Sequence, residues 1–474
     1  MNIWNDSGKR RESVSYMAEE ITHICRKIGR RSPGSAGERA AAEYFARVLQ
    51  KKCGCTDVKT ESFEEHPDSF YGYFYFSAFC DVLCCLLFFS KPLLSILFGV
   101  LGFLLFIFHF VLYRKPIDPL FPKKQGTNVT AIRPCAGEVR QRIFLNGHTD
   151  AAWEFPINYR LGGIAFEIPG LAATVGVFYY IVLSFLSLCG VDVHTAGLRG
   201  LVFLPFFLLL TITYNPLRVV DGANDNLTGC LMGVTLLKDM EEQGIQLENT
   251  EIGVILTGSE EAGLRGAKAW CEAHRDDYRD VPTCVITYDS IYNPDWLMVN
   301  RRDLNNTVAS DEDLCDWFLL AAEAADVPCR DGKVPLFGGA TDSAAFTQGG
   351  FRSIGVTGLS HRLERFYHTR MDTPENLSPL ALENCLHATA EFILSADRDL
   401  ILVPKEPEEE EPGDAPEPEP VEEAEPEDLP EEQEEEPEEE EPLFSATLEA
   451  ERRKAAEEEA AAAEENLAEE EAEE

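Results

Sequence analysis

Two hydrophobic patterns share this chain. Between residues 11 and 52, apolar positions recur at helical spacing on either side of RRSPGSAGE, which predicts two helices. Ser35, with Glu38 three residues later, reads as a capping box opening the second of them. The pattern then changes. FYGYFYFSAFCDVLCCLLFFS (70–90) is apolar throughout except for Asp81, Lys91-Pro92 makes a turn, and LLSILFGVLGFLLFIFHFVLY (93–113) is a second apolar run. A further pair follows at 170–190 and 198–214, joined by VDVHTAG and carrying Pro205. Each run approaches the roughly 20 residues a helix needs to cross hydrocarbon. Core helices of soluble proteins keep a polar face that these runs lack. Two transmembrane hairpins, 70–113 and 170–214, are therefore expected.

Outside the hairpins the pattern is α/β. QRIFLNGH, TEIGVILTGSEE and TCVITYDS are short apolar strands ending in polar residues. DNLTGCLMGVTLLKDMEEQG and EDLCDWFLLAAEAADV read as amphipathic helices between strands. This alternation predicts a mixed, mainly parallel sheet with helices on both faces, and active groups at the carboxyl ends of its strands.

The flanking charges orient the hairpins. Lys59, Arg114, Lys115, Lys123, Lys124, Arg160 and Arg218 lie outside them, and only Lys91 and Arg199 lie in the turns. The positive-inside rule then places the non-membrane segments in the cytoplasm, all on one side because each hairpin returns to the face it left. The first twenty residues lack an apolar core, so insertion is expected to use the internal segments.

The net charge of −42 is misleading as a whole-chain property. Residues 405–474 contain 34 acidic and 4 basic residues and carry −30 of it, leaving an unexceptional −12 for the rest. That tail, Pro/Glu-rich and then Ala/Glu-rich, is expected to be disordered, with a partner the sequence does not name. Nothing in the sequence points to nucleic acid. The 14 cysteines form no CxxC pair and fit free thiols in a reducing compartment. The expected divisions are 1–69, 114–169 and 215–404 for one catalytic domain, the two hairpins between them, and the tail from 405.

Three strand ends stop at metal-binding residue types: Asn146-Gly147-His148-Thr149-Asp150, Ser259-Glu260-Glu261 and Tyr288-Asp289-Ser290. Two loops add Asp225 in DGANDN and His368 in FYHTRMDTPENL. Taken singly, each has an ordinary structural reading: a hydrogen-bonded histidine, a helix cap or a solvated acidic turn. GGATDSAAF (338–346) reads as a turn and a helix capped by Asp342.

Together these residues resemble metallopeptidase family 28, the co-catalytic zinc exopeptidases. The resemblance spans roughly residues 13–400 and includes RRSPGSAGERAAAEYF, the His-Thr-Asp triplet, GANDNLTG, the Glu-Glu pair, the Asp after the next strand and YHTRMDTPENL. It implies a zinc-exopeptidase fold of the phosphorylase/hydrolase type and two zinc ions per chain. His148 would bind one ion and His368 the other, Asp225 would bridge them, and Glu261 and Asp289 would complete one site each. It further implies Glu260 as general base, Asp150 as the carboxylate orienting His148, and Tyr367 as an oxyanion stabiliser. The donor chemistry agrees: zinc takes imidazole nitrogen and carboxylate oxygen, and a catalytic site keeps a position open for water. The substrate would be a peptide. The lack of a recognisable Arg or Lys carboxylate clamp favours aminopeptidase over carboxypeptidase action.

One departure stands out. Asp225 follows Asp150 by 75 residues, far more than is usual in the family, and the excess contains the second hairpin. An active site close to the membrane surface is expected. The competing readings are a glutaminyl-cyclase-like acyltransferase and an inactive peptidase-like membrane scaffold; an altered ligand set or loss of Glu260 would favour them, and neither is present.

Overall fold

A computed structural model describes residues 3–360 and 364–404; the acidic segment expected to be disordered lies outside the described residues. Eight strands form the main sheet: β1 (Asp57–Glu65), β2 (Lys124–Arg133), β3 (Gln141–His148), β4 (Thr250–Thr257), β5 (Thr283–Ile291), β6 (Leu297–Asn300), β7 (Arg330–Gly332) and β8 (Arg352–Gly358). Their spatial order is β1-β2-β4-β3-β5-β8-β6-β7. The four central strands β4, β3, β5 and β8 run parallel. β2 and β6 flank them antiparallel, β1 pairs antiparallel with β2, and β7 runs parallel to β6.

The central strands are apolar on both faces because both are covered. Ile143 and Leu145 of β3 face a core that includes helices Ser7–His23, Ala36–Lys52, Thr228–Glu242 and Pro379–Asp399. Phe144, between them, faces the opposite core with Trp270, Phe346 and Phe70. At Gly147 the helix Thr228–Glu242 presses so closely that a Cβ would come within 2.4 Å of the Cys230 nitrogen. Glycine is therefore required next to His148.

The capping box is only half formed. Ser35 Oγ accepts the Glu38 N–H at 3.2 Å. The Glu38 carboxylate does not return to Ser35; it accepts from Gly34 N and Thr127 N at 2.9 Å and from Ser259 Oγ at 2.8 Å. Two of its donors, Thr127 and Ser259, come from distant segments, so the residue ties the helix Ala36–Lys52 to the sheet as well as holding the turn before it.

Four helices are long and apolar enough to cross a membrane: Asp68–Phe88, Pro92–Val111, Gly163–Leu188 and His194–Ile212. The last is assembled from short helical and 3-10 pieces, with Pro205 in the first turn of one of them. Asp81, 4% exposed, is turned inward with its carboxylate against Gly102 of the neighbouring helix, where a Cβ would come within 2.5 Å of it. Ser184 Oγ donates to Ser95 Oγ at 2.9 Å, and Ser95 Oγ to the Cys84 carbonyl at 2.6 Å, joining three of the helices by polar contacts within the bundle. The end of the bundle nearest the sheet is tied down too. Arg265 grips Asp118 at 2.6 and 2.9 Å and donates to Ser69 Oγ at 2.9 Å.

Candidate metal centre

All the sequence-predicted site residues except Asp225 follow from the carboxyl ends of the four parallel strands. β3 ends on His148, with Asp150 two residues beyond; β4 leads into the 3-10 turn Glu260–Ala262; Asp289 lies near the end of β5; and His368 follows β8 in a long loop. Asp225 enters from the turn before helix Thr228–Glu242, and its peptide bond to Asn226 is cis. The chain turns sharply at these points. Ser259, Ser290 and His368 have φ of 55°, 52° and 52°, left-handed conformations that L-residues seldom adopt.

The structure brings six of these side chains into one buried cluster. Asp225 stands in the middle, with Oδ1 3.2 Å from His148 Nε2 and Oδ2 3.3 Å from His368 Nε2. Glu261 Oε2 lies 3.1 Å from His368 Nε2, and Asp289 Oδ2 lies 3.8 Å from His148 Nε2. Glu260 Oε2 is 3.7 Å from the same nitrogen of His148. Two sets of donor atoms, His148/Asp225/Asp289 and Asp225/Glu261/His368, are each within 4.8 Å of one another and share Asp225; a third, His148/Glu260/Glu261, overlaps them.

This cluster fits metal cations. Four carboxylates, Asp225, Glu260, Glu261 and Asp289, are buried together, and among the described residues no lysine or arginine pairs with any of them. Burying charges without compensation is prohibitively costly. The two histidines cannot balance them fully, and Glu261 Oε1, His368 Nδ1 and both ring nitrogens of His148 have no hydrogen bond of acceptable geometry. The proton affinities report the same deficit of positive charge. Burial and then neighbouring carboxylates push Asp289 well above the usual carboxylate range, and burial does the same to Glu260. Burial disfavours the His368 imidazolium, yet Glu261 and Asp225 pull its pKa up to about 10. Burial also opposes ionisation of Asp225, but the two imidazoles facing its oxygens hold it below its ordinary value.

Asp150 is placed behind the cluster. Its Oδ1 lies 3.4 Å from His148 Nδ1, and its two oxygens accept the backbone N–H groups of Glu260 and Glu261, each at 3.1 Å. One carboxylate thus sets the position of three site residues. Tyr367 stacks on the His368 ring with centroids 4.0 Å apart and planes 16° from parallel. Asp342 is not the cap expected from the sequence. Thr341 caps that helix, and the Asp342 carboxylate accepts a hydrogen bond from Thr257 Oγ1 at the end of β4.

Sequence reasoning missed two supports. Asp372 accepts the backbone N–H groups of Asn224 and Asp225. Arg31, fully buried, donates to the carbonyls of Thr149 at 2.8 Å and Gly222 at 3.0 Å, joining the loop after His148 to the loop before Asp225. Arg31 lies within RRSPGSAGE and Asp372 within YHTRMDTPENL, so the motifs were visible but the partners were not. Aromatic residues, one of them from an apolar helix, complete the wall. Tyr71 packs against Trp153, Phe155 and Tyr214, and Phe155 lies 4.5 Å from the His368 ring.

Residues 210–393 match the family described as Peptidase family M28. The match takes in Asp225, Glu260, Glu261, Asp289, Tyr367 and His368 and begins beyond His148 and Asp150. No curated protein sequence matches the chain. Among solved structures the chain is similar to BSAP, a zinc aminopeptidase from Bacillus subtilis, at 13% identity and TM-score 0.48, over 81% of this chain and 95% of that one. It is similar to the LapA aminopeptidase of Legionella pneumophila at 11% identity and TM-score 0.46, over 84% and 76%. A glutaminyl cyclase from Bacteroides thetaiotaomicron is comparably similar, at 12% identity and TM-score 0.46, over 82% and 97%. At these scores the likenesses decide nothing about activity.

Proposed function

We propose, from the membership of residues 210–393 in peptidase family M28, that the protein is a membrane-anchored zinc exopeptidase with aminopeptidase specificity, binding two zinc ions per chain. The observation that carries the reading is Asp225, one oxygen toward His148 and the other toward His368. His148, Asp225 and Asp289 would hold one ion; His368, Asp225 and Glu261 would hold the other. When bound, such a zinc pair polarises the scissile carbonyl and lowers the pKa of water.

The chain's own residues supply the rest. Glu260 lies beside the ligands without being needed as one. It would take a proton from the attacking water and pass it to the leaving amine. Asp150 keeps that carboxylate in place by holding the Glu260 backbone. Tyr367, whose hydroxyl is kept protonated by burial, can donate to the oxyanion. The acidic surroundings, in which among the described residues no lysine or arginine pairs with the carboxylates, favour a substrate's α-ammonium terminus over its carboxylate. The four apolar helices would anchor this site to a bilayer as two hairpins, with the catalytic domain on the cytoplasmic side.

A panel of aminoacyl and peptidyl substrates, offered to the purified chain with added zinc, tests the reading. Stepwise release of N-terminal residues is expected. Release of C-terminal residues would make it a carboxypeptidase. Loss of ammonia from N-terminal glutaminyl peptides without hydrolysis would make it a cyclase, and no turnover of any kind would leave a scaffold.

A further inference from the structure

The loop between β7 and the helix Asp342–Gln348 carries two large apolar residues at its middle that water should not favour. Leu336 is 61% exposed and Phe337 is 52% exposed. Phe337 is held at φ 65°, directly before Gly338-Gly339, so the backbone itself turns the tip outward. Other strongly exposed apolar residues around the bundle, such as Leu120, Ile164 and Leu217, border a hairpin in the chain; this pair does not. It reaches the bundle through space. The Phe337 ring lies 5.7 Å from that of Phe106, on the helix Pro92–Val111 whose outward side is itself exposed at Leu101, Leu104 and Phe108.

The base of the loop is fixed to the catalytic domain. Asn305 N donates to the Gly339 carbonyl at 2.7 Å, and Gly339 N donates back to Asn305 Oδ1 at 3.0 Å. Asn305 Nδ2 also donates to the Phe110 carbonyl at 2.6 Å, locking loop and helix end together. Five residues after Phe337, Asp342 is bonded to Thr257, the last residue of the strand that leads to Glu260. One short segment therefore runs from an exposed apolar surface to the floor of the candidate metal centre.

We infer that Leu336 and Phe337 form a lip that inserts into the bilayer beside the helix Pro92–Val111 and holds the mouth of the active site at the headgroup–hydrocarbon boundary. This rests on the reading that the hairpins span a membrane. Exposed apolar surface continuous with a lipid-facing helix is removed from water when the same bilayer covers both. Phenylalanine and leucine are among the apolar residues that interfacial segments bury at that boundary. A mouth placed there takes peptides whose free N-terminus lies at the membrane surface, with the remainder of the chain in or on the bilayer.

The full chain, reconstituted in phosphatidylcholine vesicles with and without brominated acyl chains, supplies the test. Phe337→Trp reports on the lip and Phe108→Trp on the span, each read as quenching in excess of the native tryptophans. Quenching of both supports the lip. Quenching of Phe108→Trp alone leaves the span and overturns the lip; quenching of neither overturns the membrane reading and the lip with it. A double variant, Leu336→Asp with Phe337→Asp, should raise KM for a bilayer-anchored peptide by about tenfold or more, as expected when two large apolar side chains lose their lipid contact. Its kcat and KM on a soluble aminoacyl substrate should not change. An equal loss on both substrates would show a defect of folding or of the site, and would count against the lip.

Discussion

Asp372 accepts the backbone N–H of Asp225 at 3.1 Å, and with its other oxygen that of Asn224 at 2.7 Å. The residue assigned to bridge the two ions is thus held from behind by a carboxylate that touches neither histidine. Asp372→Ala should lower zinc affinity by about 10–100-fold, the usual scale for groups that orient a ligand. Asp372→Asn keeps one acceptor oxygen and should lose less. Competition with a chelating dye measures both; wild-type affinity in the alanine variant would show that the loop is held by other means.

Glu260→Gln should keep the zinc content and thermal stability of the wild type but lose at least about 10²-fold in kcat, the lower end of general acid–base effects. The amide is nearly isosteric and still sits 3.7 Å from His148 Nε2, but cannot accept the water's proton. Retention of full activity would place the base elsewhere, and loss of metal in the same variant would make Glu260 a ligand.

What could be read from the sequence was what is local. β3, β4 and β5 announce themselves as apolar runs that stop abruptly at His148, at Ser259-Glu260 and at Asp289, because the strands are covered on both faces and only their ends meet a cavity. β1, DVKTESFEE, gives no such signal, since it is an edge strand with a mostly exposed, polar surface. Pairing across space left no local trace. Glu38 looked like a helix-capping residue and also serves the distant donors Thr127 and Ser259, and Asp342 looked like a cap and serves Thr257. Asp372 and Arg31 carry polar side chains in loops whose partners only the tertiary fold supplies.

Ser259 yields a pH prediction. Its hydroxyl, with one hydrogen, lies 2.8 Å from a Glu38 oxygen and 2.6 Å from a Glu65 oxygen, so it can donate to only one of them. The other carboxyl is best satisfied by keeping its own proton. Burial pushes the pKa of Glu65 up to about 7. A raised acid contributes stability that is fully present below its unfolded value, about 4.3, and is lost as pH rises through about 7. The metal-free protein should therefore lose thermal stability between those limits. Glu65→Gln should flatten the fall; an unchanged profile would assign the titration to another group.

Native cysteines report the topology. Cys189 is exposed beside the turn of the second helical pair, whereas Cys25 and Cys135 are partly exposed on the catalytic domain. An impermeant thiol reagent added to intact cells should modify Cys189, and a cysteine placed at Lys91, but not Cys25 or Cys135 until the cells are opened. The reverse pattern would invert the orientation, and release of the protein by alkaline carbonate would remove the anchor.

The second helical pair lies between His148 and Asp225 in the chain, and His368 comes later still. On the ribosome, His148 therefore emerges without its partners. If the intervening helices span a bilayer as proposed, Asp225 can reach it only after they have been threaded out and back. A chain whose hairpin is misinserted leaves Asp225 on the wrong side and cannot assemble the centre. On the proposed reading, the protein would be latent throughout its own biogenesis, and would gain its centre only where its membrane topology had already been settled.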